Sequence, residues 1–520
     1  MKCLSFSSHS QPCLETLCTS AAREAMWRRH EKPGARGFQI WTRVCAALLL
    51  CVATAISAPA QTFTVLRRFS GGTGGSHPTG PLLQSFDGRF YGATNNGGTG
   101  LGGTAFSLGT DGTLRILHSC CAPGCTDGAY VTSLLEGAYG TFYGTDSAGG
   151  VNYGDGMVFE MTPSGSVTPF YAFCSLTKCE DGRSPSSLVK GFDGSLHGTT
   201  ATGGLAFGSG GGGTIFRLTP GGAFSRQKVF CRVNTCPDGA GPASLFQGAD
   251  GNLYGFTEEG GNVIQATGIS GGTIFSLGVA GFKTVYLFCS QTMCADGSRT
   301  TALLQGTDGN LYGVTAGGGD QTNCSGGCGT IFKLTTAGTL TTLHTFCAQK
   351  GCPDGFSPSA LVQGTDGNFY GTTGGGGGST DDGTVFEITP GGTLTTLHVF
   401  SGPDGNEPEG LTQGTDGAFY GTTASGGNSG FGVAFRLDVG LGPFVRPVLT
   451  FGKVGDRVTI LGSDLTGATA VTFDGTAATF HVASSTAIVT TVPEGATTGT
   501  ITVTTPSGPL DSNVAFTVLP

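Results

Sequence analysis

Short runs of alternating hydrophobic and polar residues recur through most of this chain, and glycine-rich segments separate them. Residues 342–397 contain four such runs, at Leu343–Phe346, Ser359–Gln363, Asn368–Thr372 and Thr384–Ile388. A period of two is typical of β-strands, while Asp-Gly and Pro-Gly-Gly segments are strong turn signals. The pattern therefore predicts four short strands per unit, joined by tight turns.

This unit is repeated seven times. Its most regular element is Asp-Gly-Asn-Leu-Tyr-Gly and its variants, and successive copies lie 50 to 58 residues apart. A period near fifty indicates a propeller or a solenoid, and four strands in each of seven units predict a seven-bladed β-propeller. The central residues of the copies are Tyr91, Tyr143, His197, Tyr254, Tyr312, Tyr370 and Tyr420.

A second recurrent position is a phenylalanine in the Gly-Thr-Ile-Phe-type strand. We expect these rings to pack between neighbouring blades. We also expect the two ends of the repeat region to meet, near Phe63 and Val433, because a propeller closes into a ring. The recurrent rings are Phe106, Phe159, Phe216, Phe275, Phe332, Phe386 and Phe435.

The composition agrees with an all-β chain. Its 520 residues include 95 Gly but only 23 Pro, and 12% of them are charged. Collagen is excluded because glycine does not occupy every third position, and the shortage of helix-forming residues argues against helical bundles. Generic disorder is excluded because 38% of residues are hydrophobic and 35 Phe supply core material.

The pattern changes near Gly440, where cysteine and poly-glycine end and valine and threonine dominate. Seven short strand patterns between Val448 and Val518 predict an immunoglobulin-like sandwich. The predicted organisation is an N-terminal extension with a signal peptide at 1–60, a propeller at 61–440 and the sandwich at 441–520.

The N-terminal extension has the pattern of an export signal. Basic residues precede a 13-residue apolar run, Val44–Ile56, and Ala58-Pro59-Ala60 follows. Cleavage is predicted after Ala60. A membrane anchor is the alternative, but the run is shorter than the roughly 17–25 residues of a spanning helix, so no membrane span is predicted in the mature chain.

The charge of the chain argues against nucleic acid as a partner. Residues 1–60 hold seven basic and three acidic residues, so the remainder holds 19 basic and 32 acidic residues, a net charge of −13. A phosphate backbone would repel such a chain, and no lysine or arginine cluster interrupts the acidic surface.

Cysteine follows the repeat. Thirteen of the 18 cysteines lie after residue 60, and most form pairs in which Asp-Gly follows the second cysteine by one residue. Such pairs favour local disulfides in an oxidising compartment. Zinc is the alternative, but it requires two pairs brought together. Cys121 is left over from the predicted pairs, which are Cys120–Cys125, Cys174–Cys179, Cys231–Cys236, Cys289–Cys294, Cys324–Cys328 and Cys347–Cys352.

The repeat resembles a known family. Gly306–Gly313 (GTDGNLYG), Gly329–Leu334 (GTIFKL) and Leu340–Phe346 (LTTLHTF) look like the GloVer-type tandem repeat of bacterial exported proteins. The resemblance extends from Thr62 to Leu437. It implies a propeller-like fold and a surface or secreted location, and it implies no common catalytic chemistry.

The C-terminal segment resembles an IPT/TIG domain. The matching motifs are Gly455–Ile460 (GDRVTI), Val471–Gly475 (VTFDG), Val492–Ala496 (VPEGA) and Thr500–Thr504 (TITVT). The resemblance implies a spacer or binding module of the kind used in cell-surface proteins and enzymes. The nucleic-acid role of some relatives finds no basic loop here.

The chain lacks the common catalytic motifs, so no catalytic residue, cofactor or metal is predicted. Acidic departures from the repeat are the best candidates for a ligand or cation site, because structure alone does not demand them. They are expected in loops at one face of the propeller. The alternative is that they are solvated loop charges. The candidates are Asp146, Glu258, Glu259, Asp381 and Asp382.

Two classes of function remain open from the sequence. The first is an exported, non-enzymatic, monomeric propeller that binds a glycan or a surface protein, or is purely structural. The second is an extracellular carbohydrate-active enzyme on a propeller scaffold, which needs two carboxylates roughly 5–10 Å apart. The near-identical repeats and the absence of catalytic motifs favour the first.

Overall fold

The computed structural model of the protein describes residues 61–520 with short gaps. The predicted signal peptide and the cleavage after Ala60 lie outside the described residues. Helix in the described part of the chain is limited to short 3₁₀ turns such as Gly72–Gly74, Thr177–Cys179 and Thr292–Cys294. None of the helices there is long and apolar enough to cross a membrane. The gaps are 121–125, 138–139, 151–153, 205–210, 234 and 265–268.

Seven four-stranded antiparallel sheets confirm the predicted propeller. Within a blade, the first strand lies near the central axis, where it contacts the first strands of the neighbouring blades. From the inner to the outer strand, the bounds are Ser76–Gln84, Phe90–Asn96, Thr104–Leu108 and Leu114–Ser119 in blade 1; Ala129–Glu136, Phe142–Ala148, Met157–Met161 and Val167–Ala172 in blade 2; Arg183–Lys190, Leu196–Thr202, Thr214–Leu218 and Phe224–Val229 in blade 3; Ala240–Gln247, Leu253–Glu259, Thr273–Gly278 and Gly281–Leu287 in blade 4; Ser298–Gln305, Leu311–Gly317, Thr330–Leu334 and Leu340–Thr345 in blade 5; Phe356–Gln363, Phe369–Gly375, Thr384–Ile388 and Leu394–Val399 in blade 6; and Asn406–Gln413, Phe419–Ser425, Val433–Asp438 and Thr62–Arg68 in blade 7.

The N-terminal strand closes the ring. Thr62–Arg68 is the outer strand of blade 7 and pairs antiparallel with Val433–Asp438, from Thr62 opposite Asp438 to Arg68 opposite Val433. The two ends of the repeat region therefore meet as predicted. Blade 7 takes three strands from one end of the chain and one from the other.

Aromatic rings fill the junctions between blades. All seven recurrent phenylalanines of the third strands are 0–2% exposed. At six junctions such a ring lies 5.0–5.5 Å, centroid to centroid, from the phenylalanine that follows the outer strand of the preceding blade. At the junction of blades 1 and 2, the buried Cys120 packs in the cluster that contains Phe159.

A side chain at the end of the inner strand links adjacent blades in six of the seven blades. In five blades it is a glutamine whose Oε1 accepts a hydrogen bond from a backbone N–H in the preceding blade's first hairpin, at 2.9–3.2 Å. Glu136 makes the same bond to the Phe86 N–H in blade 2. Lys190 occupies the position in blade 3 and has no acceptor atom to offer. The glutamines are Gln84, Gln247, Gln305, Gln363 and Gln413.

The C-terminal segment forms the predicted sandwich. Its core contains Val458, Phe473, Ile488, Ile501 and Phe516, each less than 5% exposed. One sheet contains Arg446–Pro447, Arg457–Leu461, Ala487–Thr491 and Phe480–Ser484; the other contains Thr476–Ala477, Ala470–Phe473, Ile501–Thr505 and Gly508–Asp511; Phe451–Lys453 and Thr517–Leu519 form a parallel pair.

The sandwich packs on the propeller face that carries the Asp-Gly hairpins, which we call the hairpin face. The Thr486 hydroxyl donates to the Phe86 carbonyl at 2.8 Å, and the Arg446 guanidinium donates to the Gln84 carbonyl at 3.0 Å. In blade 3, the Phe192 ring lies 4.7 Å from that of Phe451. The sandwich therefore leaves the opposite face of the propeller uncovered.

Candidate functional site

Seven residues form a ring around the propeller axis, at the second position of each inner strand. We call this set the axial ring. Each has a left-handed backbone, with φ between 50° and 64°. Each lies at the N-terminal end of its strand, on the face opposite the hairpin face, where the cysteine-containing loops arrive. The members are His77, Tyr130, Ser184, Gly241, Arg299, Ser357 and Glu407.

The backbone of the axial ring has the same structural role in every blade. The N–H of each member donates to a carbonyl in the loop between the second and third strands of the preceding blade, at 2.8–3.1 Å. In blade 7, for example, the Glu407 N–H donates to the Asp382 carbonyl. This bond joins consecutive blades, and the turn that makes it requires the positive φ.

The side chains of the axial ring are not explained by that role. Glycine adopts a left-handed conformation without strain, whereas the same conformation raises the energy of other residues by roughly 1–2 kcal/mol. Gly241 shows that glycine can adopt the positive φ and make the same backbone hydrogen bond. The other six members nevertheless carry His, Tyr, Ser, Arg, Ser and Glu side chains. All six are half-buried or exposed. Because strained residues concentrate at functional sites, the ring is the candidate binding site.

Two of the predicted acidic residues border the axial ring. Burial raises the pKa of Glu258, and the Arg299 guanidinium opposes that shift. Burial, with the nearby Asp404 and Asp381 carboxylates, raises the pKa of Asp382, whose carbonyl accepts the Glu407 N–H. Glu258 and Asp382 lie in blades 4 and 6, and each is next to a ring member of the following blade: the Glu258 carboxyl through its electrostatic interaction with Arg299, and Asp382 through its backbone carbonyl.

The other acidic candidates have different surroundings. Glu259 ends the second strand of blade 4, opposite Ala240, and is exposed. The Asp381 carboxylate accepts a hydrogen bond from the Gly376 N–H at 2.9 Å within its own loop. Glu259 and Asp381 thus remain solvated loop or strand-end charges.

Asp146 does not lie in a loop, which corrects the expectation that it faces a ligand. It belongs to the strand Phe142–Ala148 and is 0% exposed. Its Oδ1 accepts the Met157 N–H at 3.1 Å, and its Oδ2 has no hydrogen-bond partner among the described residues. Burial raises the pKa of Asp146 to about 8. The carboxyl occupies a core position, where the other blades have Thr94, Thr200, Thr257, Thr315, Thr373 and Thr423.

Histidine in the outer strands is structural. His118, His344 and His398 each lie 2.9–3.4 Å from the aspartate of the following loop. Tyr171, Lys228 and Tyr286 hold the equivalent aspartates in the same way. Because Tyr and Lys serve at the same position, the shared function is to fix the loop. The aspartates are Asp127, Asp181, Asp238, Asp296, Asp354 and Asp404.

His197 takes the place of the repeated tyrosine in blade 3 and has the same structural role. Five of the repeated tyrosines donate their hydroxyl to the aspartate four residues earlier, at 2.7–3.0 Å. His197 Nε2 lies 3.1 Å from Asp193 in the same arrangement, and the Arg217 Nε lies 2.6 Å from the other carboxylate oxygen. The His–Asp pair is therefore the counterpart of a Tyr–Asp bond.

The pH dependence of stability is expected to reflect His197. Burial lowers its pKa below the ordinary 6.5, against the influence of Asp193. The unfolded chain therefore binds more protons just below pH 6.5, so this contribution is complete above that pH and is lost as the pH falls. His197→Tyr is expected to remove this part of the acid sensitivity in thermal unfolding followed between pH 5 and 8. An unchanged pH profile would contradict the assignment.

Five of the predicted cysteine pairs are disulfides in the structure, and all five lie in loops of the face that carries the axial ring. The predicted Cys120–Cys125 bond is not formed, because Cys120 is a free buried cysteine. Its N–H donates to Gly103, as the phenylalanines that follow the other outer strands donate to the equivalent glycines. Cys120 thus takes a phenylalanine's place in the core, and burial raises the pKa of its thiol to about 12. Cys121 and Cys125 lie outside the described residues.

Comparison with protein families agrees with the repeat and the sandwich. The Gloeobacter/Verrucomicrobia repeat model matches residues 52–207, 150–353 and 321–458. The IPT/TIG domain model matches residues 443–518. These matches confirm both resemblances noted in the sequence. No curated protein matches the chain.

Comparison with solved structures finds distant similarities. The extracellular domain of a putative one-component system from B. thetaiotaomicron is 10% identical with a TM-score of 0.46, and the match covers 89% of this chain and 58% of that one. PorZ, a surface component of the type-IX secretion system of Porphyromonas gingivalis, is 14% identical with a TM-score of 0.47, covering 87% and 61%. A putative gluconolactonase is 12% identical with a TM-score of 0.36, covering 74% and 94%. The chain therefore spans about three fifths of the length of the first two of these structures.

Proposed function

Because this chain belongs to the Gloeobacter/Verrucomicrobia repeat family, and because strained polar side chains line its axis, we propose that it is an exported, non-enzymatic propeller whose axial ring binds an extracellular glycan. Residues 1–60 supply the export signal, which is removed after Ala60. The mature chain acts as a monomer at the cell surface or in the secreted fraction. The sandwich, from residue 441 onwards, serves as a spacer on the hairpin face.

The observation that carries this proposal is that six members of the axial ring have polar side chains, although glycine would adopt the same left-handed backbone without strain. Tyr130 and His77 offer flat faces for a sugar ring, and Ser184 and Ser357 offer hydroxyls for hydrogen bonds. Arg299 and Glu407 carry opposite charges, which suits a neutral polyhydroxylated ligand. The disulfides of the surrounding loops fit an oxidising compartment.

Substitution of ring members by glycine separates binding from folding. Tyr130→Gly and Arg299→Gly are each expected to weaken binding of a glycan-array hit by roughly 30-fold, the effect of removing a hot-spot side chain of about 2 kcal/mol. Both variants are expected to keep or raise the melting temperature, because glycine relieves the left-handed strain. Glycan arrays, titration calorimetry and thermal unfolding of residues 61–520 measure both effects.

The matched control is Gly241→Ala, which adds strain to the ring without removing a functional group. It is expected to lower stability and to leave affinity unchanged. Full binding by both glycine variants would overturn the ring as the site. Hydrolysis of the bound glycan that is lost in Glu258→Gln would instead support the carbohydrate-active enzyme, the second candidate. Binding of a surface protein but no glycan would leave the ring in place and change the ligand class.

A further inference from the structure

Blade 5 brings two cysteine pairs together. Cys324–Cys328 lies in the loop between the second and third strands, and Cys347–Cys352 lies in the loop that follows the outer strand. The four sulfur atoms all lie within 4.8 Å of one another. Among the described residues, no other group of four candidate metal ligands is this close.

The surroundings of the four sulfurs are apolar and well ordered by hydrogen bonds. Cys328 and Cys347 are 1% and 0% exposed and belong to one hydrophobic cluster, against which Cys324 and Cys352 also pack. The Ser357 N–H donates to the Cys328 carbonyl at 2.9 Å. The Cys347 N–H donates to the Asp354 carboxylate, and the Asn323 amide donates to the Cys347 carbonyl. These bonds hold both loops in place independently of the sulfur atoms.

We propose that the four cysteines form a redox-controlled metal site, which binds one Zn²⁺ as a tetrathiolate when both disulfides are reduced. Zinc bonds to thiolate are about 2.3 Å long, so the sulfurs of a tetrahedral site lie about 3.8 Å apart. Sulfurs of different pairs already lie within 4.8 Å of one another, close to that value. Within each pair the sulfurs are bonded at about 2 Å and must move apart by roughly 1.8 Å once the disulfide is reduced. The sequence disfavoured zinc because each pair alone has two ligands, and the fold supplies the other two.

The chemistry balances with a dithiol or phosphine reductant. Each disulfide takes two electrons and two protons and becomes two thiols, while the reductant is oxidised. Binding of Zn²⁺ then displaces the four thiol protons to solvent, because only the thiolate is a ligand. In an oxidising compartment the same loops are instead held by two disulfides.

The test uses the whole mature chain, reduced with a phosphine, desalted without oxygen and titrated with Co²⁺ as a spectroscopic probe. One equivalent of Co²⁺ is expected to bind, with sulfur-to-cobalt charge-transfer absorption and the visible bands of a tetrahedral ion. Zn²⁺ is expected to displace it and to protect four cysteines together from alkylation, counted by mass spectrometry. Circular dichroism follows the fold throughout.

Two double variants test which cysteines bind the metal ion. Cys328→Ser/Cys347→Ser is expected to lose the charge-transfer bands and the protection. Cys289→Ser/Cys294→Ser removes a pair that has the spacing of Cys347–Cys352 but no second pair beside it, and it is expected to keep both signals. Cobalt–thiolate bands that persist in the first variant, or that are absent from a folded reduced chain, would overturn the proposal. So would a reduced chain that unfolds and does not refold with Zn²⁺.

Discussion

A chain that begins at Ser70 instead of Gln61 is expected to lose its cooperative unfolding transition. The truncation removes the outer strand of blade 7 and its pairing with Val433–Asp438. It also removes Phe69, which is 2% exposed and packs on Phe106, and Phe63, which packs on Phe435. Loss of a single buried phenylalanine side chain costs about 3–5 kcal/mol, a large part of a typical total stability of about 5–15 kcal/mol.

The loss of stability is expected to be large because the strand Thr62–Arg68 joins the two ends of the ring of blades. Without it, the third strand of blade 7 exposes an unpaired edge, which is a template for aggregation. Circular dichroism melting and size-exclusion chromatography measure the outcome. A synthetic peptide of residues 61–70 is expected to restore the transition in a concentration-dependent way, since binding to the folded state stabilises it.

The control for the truncation is Thr64→Ala, at an exposed position of the same strand. It is expected to leave the melting temperature nearly unchanged. A truncated chain that melts at the same temperature as the chain beginning at Gln61 would show that the N-terminal strand does not close the propeller.

The contribution of Asp146 to stability is expected to fall as the pH rises from about 4 to about 8. Its carboxyl has an ordinary pKa of 3.8 when unfolded, and burial raises the pKa to about 8 in the folded chain. The folded state therefore binds the extra proton, and this contribution is complete below about pH 4 and is lost as the pH approaches 8. The slope is about 1.4 kcal/mol per pH unit, or about 6 kcal/mol over the whole range.

The threonines at the equivalent position of the other blades explain why the protonated form of the Asp146 carboxyl fits this core position. In six of them, a threonine hydroxyl at this position accepts a backbone N–H and donates to the carbonyl two residues later. An ionised carboxylate accepts the first bond but has no hydrogen for the second. Asp146→Thr is therefore expected to raise the melting temperature most at pH 8 and to flatten the pH profile.

Two controls accompany Asp146→Thr. Thr373→Asp in blade 6 is expected to introduce the same loss of stability at high pH, because it rebuilds the buried carboxyl in another blade. Asp111→Asn, at an exposed turn, is expected to change little. If Asp146→Thr keeps the wild-type slope of melting temperature against pH, the carboxyl is not the titrating group.

Sequence periodicity was sufficient for the architecture, since a strand has a period of two and the blade repeats seven times. Periodicity was less informative where one residue type can occupy two kinds of position, such as a cysteine in a disulfide or in the core. Cys120 was assigned to a disulfide because it precedes Cys125 by the right spacing, but the backbone bond to Gly103 places it at a core phenylalanine position. The sequence predicts a loop at Asp146 because it departs from the threonine and small residues that follow the Tyr-Gly element in most copies.

What the sequence alone determined is the number of blades, the sandwich, the meeting of the chain ends and five of the six local cysteine pairs, because each follows from the repeat or from neighbours along the chain. The tertiary structure decided what depends on neighbours in space. Positive φ in the axial ring results from a bond to the preceding blade, and the approach of Cys324–Cys328 to Cys347–Cys352 results from two loops that meet at one blade end. Neither leaves a periodic signal, because each is defined by contacts between segments that the repeat separates.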